Sequence, residues 1–313
     1  MKKFTNESMY EIMEYFENSL LDKNIVSFEV LNPDICVDKY SGTTINLDKE
    51  YIYRSYKSWT DLAELMFCKM LTPIITSKYI VALNFKKIDV ETSFHKDEND
   101  SKHEKYGIQS EFSKINKNEE PAFLFPYKKA LIHTKVYEKR QILNLGVNKA
   151  DEFETIKQIV YPEVFKDINF VGVDYSKSVI EEAKQRFPED NFSFFAHDIN
   201  KLDELNLKKS DLIISISTLQ SSSINFKLVF MSLIQNYLKE GGSIILGFPN
   251  CRWMGSDIIY GAKNPTYNYS EQSLLYKDVY FCKKYLQQKK FKVTLTGKNY
   301  LFLTATAIKK NGK

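Results

Sequence analysis

Gly146 and Asp174 end two short apolar runs, Gln141-Ile-Leu-Asn-Leu-Gly146 and Phe170-Val-Gly-Val-Asp174. A segment of helical character, about residues 150–160, lies between them. Strand, tight turn, helix and a second strand ending in an acid form an arrangement with a chemical use. The glycine turn lets backbone approach a ligand closely, and a carboxylate at the second strand's end can accept hydrogen bonds from both hydroxyls of a ribose. The pair points to an adenosine-containing cofactor. The bland alternative is that Asp174 caps the next helix, but Ser176 is the better-placed cap, which leaves the acid to a ligand.

The elements that must position these residues follow from the periodicity. From Lys128 onward we expect helix (127–138), strand (141–146), helix (150–160), strand (169–174), helix (176–186) and strand (192–196). A short helix after Asn200, strand (211–217), helix (222–239), strand (243–248), helix (271–289) and strands (291–296, 300–308) complete the series. In the 222–239 segment Ile224, Leu228, Met231, Ile234 and Leu238 share a face, and Gly241-Gly242 reads as its stop. Such alternation predicts an α/β fold, a doubly wound and mostly parallel seven-stranded sheet. The last two strands are joined by Thr296-Gly-Lys-Asn-Tyr300, too short for a crossover helix, so they must form an antiparallel hairpin.

The first 90 residues read as a smaller α+β domain. Ser8-x-x-Glu11 is a capping box ahead of Met9, Ile12, Met13, Phe16 and Leu20 on one helical face. Ser58-x-x-Asp61 predicts a second helix with Trp59, Leu62, Ala63, Met66 and Met70 on its stripe and Pro73 as its stop. Strands are expected near 26–31, 43–47 and 79–88. Residues 95–120 are dense in charged and amide side chains and read as a polar linker. The expected division is an accessory domain over 1–120 and a cofactor-binding domain over 121–313.

Composition narrows the partners. The 313 residues carry a net charge of +4, with 43% hydrophobic and 14% aromatic residues. That is ample for packed cores and milder than the charge of most proteins that wrap nucleic acid. Cys36, Cys68, Cys251 and Cys282 form no CxxC pair, so neither a zinc site nor a disulfide framework is expected. No apolar run approaches the length of a membrane span, and the N-terminus lacks a signal-peptide core. A cytoplasmic location is the expectation.

Over residues 125–310 the sequence resembles the class I S-adenosylmethionine-dependent methyltransferases. In that family the first strand carries an acid followed by G-x-G-x-G, an acid ends the second, and an Asp follows the third. Here Asn144-x-Gly146-x-Asn148-x-Ala150, Asp174, His197-Asp198 and Asp211-Leu-Ile-Ile-Ser-Ile-Ser217 occur in the same order. The resemblance implies S-adenosylmethionine as cofactor, with Asp174 on the ribose and Asp198 accepting from the adenine amino group. It places Asn144, Leu145, Gly146, Val147 and Asn148 around the methionine and ribose. Tyr175, Ser176, His197, Ile199, Ser215 and Ser217 complete the expected contacts. Asn148 replaces a glycine but tolerates a left-handed backbone, and Ala150 still allows close helix packing. Asn144 replaces the family's acid, so recognition of the methionine amino group is weakened or shifts to Glu152 or Asp151.

The methyl carbon of a sulfonium is already activated, so such an enzyme contributes mainly alignment and exclusion of water. No catalytic base is identified. Thr218 and Gln220 after the fourth strand, and Asn250, Arg252, Trp253, Tyr260 and Tyr267 in the long segment after the fifth, are the expected substrate contacts. The fourth strand lacks the Asn/Asp-Pro-Pro-Tyr motif of many enzymes that methylate amide or exocyclic amino nitrogens. Methylation of a small molecule is the leading reading. A tRNA or rRNA methyltransferase and a catalytically silent interaction protein are the alternatives. No residue identifies the acceptor atom or an oligomeric state.

Overall fold

The computed structural model describes residues 1–89, 107–264 and 267–308, with side chains left aside over 263–270. By its internal contacts the chain divides into two compact units, Met1–Lys96 with Trp253–Ile259, and Asp97–Arg252 with Tyr260–Lys313.

In the first unit the polar starts of two helices set the frame. Its elements are β1 (Lys2–Lys3), α1 (Met9–Asp22), β2 (Ile25–Leu31), β3 (Thr44–Asn46), β4 (Glu50–Ile52), α2 (Tyr56–Leu65), β5 (Cys68–Met70), β6 (Ile74–Ile75) and β7 (Ile80–Lys87). The sheet runs β1-β2-β7-β5, with β6 also on β7. The capping box of α1 is complete: Ser8 N donates to Glu11 Oε2 at 2.7 Å, and Glu11 N donates to Ser8 Oγ at 3.2 Å. Phe16, Phe28, Trp59 and Phe85 fill the core between helices and sheet. The second helix departs from expectation. It is capped by Ser55, not by a motif starting at Ser58, and it ends at Leu65. Phe67 takes a left-handed φ of 51° and turns the chain, so Met70 lies on β5 and Pro73 stops nothing.

The second unit contains α3 (Pro121–His133), β8 (Gln141–Leu145), α4 (Asp151–Ile159), α5 (Pro162–Lys166), β9 (Asn169–Asp174), α6 (Lys177–Arg186), β10 (Phe192–Ala196) and β11 (Ser210–Ile216). It continues with α7 (Phe226–Ser232), β12 (Leu238–Pro249), β13 (Cys251–Met254), β14 (Asp257–Tyr260), β15 (Lys263–Asn264), β16 (Tyr267–Ser270), α8 (Ser273–Gln288), β17 (Phe291–Gly297) and β18 (Tyr300–Ala307). The second half of β13 and most of β14 lie in the stretch that groups with the first unit. Seven strands form one sheet in the order β10-β9-β8-β11-β12-β18-β17. β8 to β12 are mutually parallel, and β18 runs antiparallel to both β12 and β17. The order reverses direction at β8, between β9 and β11, which opens a crevice at the carboxyl ends of the strands.

Three boundaries differ from the periodicity. α3 starts at Pro121, which suits the first helical position because its missing N–H costs nothing there. The helix expected over 222–239 begins at Phe226, widens to a π-turn over Leu233–Tyr237 and gives way to strand at Leu238. Gly241-Gly242 lies inside β12. There the pairing with β11 jumps from Ser210↔Leu238 to Leu212↔Ser243, so the glycines form a bulge and not a helix stop. Of the segment expected as a linker, 95–106 falls outside the described residues. Glu111–Lys114 and Lys117–Glu119 are short 3-10 turns of the second unit.

Candidate functional site

The turn after β8 has a left-handed backbone at alternate residues, with φ of 69° at Gly146, 46° at Asn148 and 64° at Ala150. Three hydrogen bonds hold it against β9. Gly146 N and Val147 N donate to Val173 O at 2.8 and 3.2 Å, and Asn148 N donates to Asp174 Oδ2 at 2.9 Å. Asp174 Oδ1 also accepts from Ser176 N at 3.1 Å. Asp174 therefore builds the turn and starts the next helix. Ser176 makes no side-chain cap, contrary to expectation; its hydroxyl lies 3.2 Å from that of Ser178. A carboxylate oxygen has two acceptor directions, so these bonds are compatible with hydroxyl donors from a ligand.

Gly146 is needed for space as well as conformation. A Cβ on it would sit 1.9 Å from Thr218 Oγ1. That hydroxyl donates to Leu145 O at 3.1 Å, so Thr218, expected beside the substrate, locks the turn to the end of β11. Leu145 and Val147 are fully buried and offer a ligand only backbone.

Beside the turn lies a buried polar group. Asn144, 1% exposed, donates through Nδ2 to Glu152 Oε2 at 3.3 Å, and Glu152 is itself 4% exposed. Lys117 Nζ stands 3.8 Å from Glu152 Oε1. Burial pushes the Glu152 carboxyl above its ordinary range, with Lys117 acting in the opposite direction. Asn144 Oδ1 is buried and has no hydrogen-bond partner among the described residues. An acid from the first turn of α4 thus stands beside Asn144 on the strand. Lys117 escaped the sequence reading because a lysine inside a polar run carries no periodic signal. Its segment is fixed by Asn118 Nδ2 donating to Asp151 O at 2.9 Å, and by Lys149 Nζ donating to Ser113 O.

More buried polar atoms without partners among the described residues cluster along the strand ends. They are Ser215 Oγ and Ser217 Oγ from β11 and the residue after it, Gln220 Oε1, Asn250 Oδ1 and Asn299 Oδ1. Ser215 pairs in register with Leu145, and Ile214 with Asn144. Asn250 Nδ2 donates to Lys298 O at 3.1 Å and its backbone N to Asn299 O at 2.8 Å. Asn299, in the hairpin turn, was also missed. Nothing separates it in sequence from an ordinary turn amide.

The remaining expected residues are mixed. Asp198 caps the 3-10 helix Ile199–Leu205 through Asn200 N at 2.9 Å, and Ile199 is packed into the core. His197 Nε2 faces Lys201 O at 2.9 Å, and Tyr175 is half-exposed. Tyr260 accepts from Gln272 Nε2 at 2.9 Å. Arg252 is half-buried, and burial lowers its pKa. Trp253 groups with the first unit, and the Tyr267 side chain lies outside the described ones. Burial pushes the Cys251 thiol up to about 12, which keeps it protonated and a poor nucleophile. Among the described residues no cluster of metal-ligating side chains is present, and no helix is long and apolar enough to cross a membrane.

Residues 141–296 match the family model of a methyltransferase domain. With the seven-stranded order and the terminal hairpin, this part of the chain belongs to the class I methyltransferases. Similar solved structures include plantazolicin methyltransferase BpumL, at 19% identity and a TM-score of 0.35. That match covers 43% of this chain and 50% of the other, so the chain spans half that enzyme's length. N-methyltransferase NodS from Bradyrhizobium japonicum is 12% identical, with a TM-score of 0.41, covering 61% of this chain and 99% of the other. Magnesium protoporphyrin IX methyltransferase from Synechocystis is 15% identical, with a TM-score of 0.38, covering 59% and 78%. No curated protein matches the sequence.

Proposed function

We propose that the chain is an S-adenosylmethionine-dependent methyltransferase acting on a small molecule. The observation that carries this reading is the set of buried polar atoms without partners at the carboxyl ends of β8, β11 and β12. A buried polar group without a hydrogen bond is costly, and a ligand with matching donors removes that cost. The residues fit the cofactor. Asp174 would take the ribose hydroxyls, Glu152 and Asn144 Oδ1 the methionine ammonium, and Lys117 the carboxylate. Bound S-adenosylmethionine supplies an activated methyl group. The chain's own residues then orient the acceptor and exclude water, with Ser215, Ser217, Gln220 and Asn250 as its polar contacts. Small hydroxyls and amides set deep at strand ends suit a compact acceptor better than a polyanion, which needs exposed cations.

Radiolabelled S-adenosylmethionine tests the reading. Label should pass to small molecules of a deproteinised extract and not to tRNA or rRNA. Transfer to RNA that weakens steeply with salt would move the assignment to the RNA reading, and failure to bind cofactor would sink both.

A second expectation concerns Glu152. Glu152→Gln should weaken S-adenosylmethionine about tenfold or more, the scale of a hydrogen bond to a charged group. The raised carboxyl fixes the sign with pH. Because Glu152 takes up its proton above the ordinary glutamate range, the wild type should lose affinity as pH falls through that raised value. The glutamine variant should stay flat there. Calorimetry across that pH window checks both; a wild-type affinity without this decline removes Glu152 from the ammonium site.

A further inference from the structure

We propose that the first unit holds a binding site for a carboxylate-headed amphiphile, centred on Arg54. The site is independent of the methyltransferase reading. A cavity of about 540 Å3 lies within this unit, a size within the range of small-molecule pockets. Met9 and Met13 from α1 and Leu62 from α2 are apolar residues of its lining. Arg54, Ser41 and Ser58 supply polar groups to the lining.

Arg54 is 5% exposed, yet no carboxylate oxygen among the described residues lies within ion-pair distance of it. Its guanidinium donates to the Glu7 carbonyl and stands 5.7 Å from the Trp59 ring centroid. The Glu7 carboxylate acts on it electrostatically, and that carboxylate is engaged by Thr5 N at 2.6 Å. Five N–H donors with one carbonyl partner are under-used, and buried charges are otherwise paired. An anion entering the cavity would supply the missing counter-charge.

The surroundings favour the same ligand. Arg54 directly precedes Ser55, the N-cap of α2, so the positive end of a ten-residue helix adds to its field. Ser41 Oγ lies 2.9 Å from Ser58 Oγ and 3.3 Å from Ser55 Oγ. These hydroxyls bond to one another and can rotate to donate to an oxyanion. Asp61 also lines the cavity but is 44% exposed and ion-paired with Lys57. That acid disfavours a dianion such as phosphate, whereas one carboxylate balances one guanidinium. Met9, Met13 and Leu62 call for an apolar tail behind it.

The test is calorimetry on the full chain with decanoate, decanol and inorganic phosphate as probes. Decanoate should bind, with decanol and phosphate each at least about tenfold weaker. Arg54→Met keeps the stem's volume without the charge and should cost decanoate at least about tenfold in affinity. Should that variant fail to fold, Met13→Trp fills the apolar part of the lining, keeps Arg54 and should weaken decanoate. No decanoate binding, decanol binding equally well, or decanoate affinity unchanged in the folded variant would overturn the site. Phosphate binding in place of decanoate would do the same.

Discussion

Gly146→Ala should destabilise the chain by about 2–5 kcal/mol and abolish cofactor binding. Two independent costs add. A left-handed backbone costs an L-residue roughly 1–2 kcal/mol, and Gly146 has a φ of 69°. The new methyl would also meet Thr218 Oγ1 at 1.9 Å, Thr218 Cγ2 at 2.6 Å and Thr218 Cβ at 2.7 Å, an overpacking worth roughly 1–3 kcal/mol. The collision belongs to one partner, so the double variant Gly146→Ala/Thr218→Ala should recover part of the loss. Recovery stays partial because Thr218 Cβ remains in the way and the left-handed strain is untouched. Urea unfolding of the two single variants and the double variant measures this coupling. Strict additivity would show that the collision relaxes elsewhere.

Asp174→Ala should weaken S-adenosylmethionine about a hundredfold or more, an effect near 3 kcal/mol. The acid has two jobs, and alanine removes both. It accepts from Asn148 N and Ser176 N, which holds the turn, and in the proposed function it also accepts from ribose hydroxyls. Hydrogen bonds to a charged acceptor contribute about 1.5–3 kcal/mol when well shielded. Asp174→Asn keeps one acceptor oxygen and should fall between wild type and alanine. Calorimetry gives the affinity, and amide exchange at Asn148 and Ser176 reports the turn. Faster exchange with cofactor affinity held within about threefold of wild type would confine Asp174 to holding the turn.

Much of the fold was legible because each strand is a separate apolar run with a polar stop. The hairpin was equally plain, since the few residues from Thr296 to Tyr300 leave room for nothing else. Gly297, with a φ of 106° and Tyr300 O at 1.9 Å from where its Cβ would be, makes that turn possible. The glycine doublet at 241–242 misled because a helix stop and a strand bulge use the same residue for the same backbone freedom. Ser55 was passed over as a cap because Ser58 offers an equivalent pattern three residues later. In the candidate site, Asn144, Gly146 and Asp174 stand out in the sequence by their position in the motif. Lys117 and Asn299 do not, because they come to the candidate site through tertiary neighbours that no local spacing encodes. Thr218 is expected beside the substrate from its place after the fourth strand, and its bond to the Leu145 carbonyl is a tertiary contact that the spacing does not show.

The grouping of Trp253–Ile259 with the first unit has a consequence for how the protein is made. Met254 and Ile259 are buried, and Lys69 pairs with Asp257 at 2.8 Å. The first unit therefore cannot be completed until the ribosome has passed Ile259, when β8 to β12 have already been synthesised. Its main sheet, all of it within residues 2–87, is synthesised long before that segment. No single cut in the gene yields that unit whole, so co-expression of two fragments is the way to obtain it, and truncation is not.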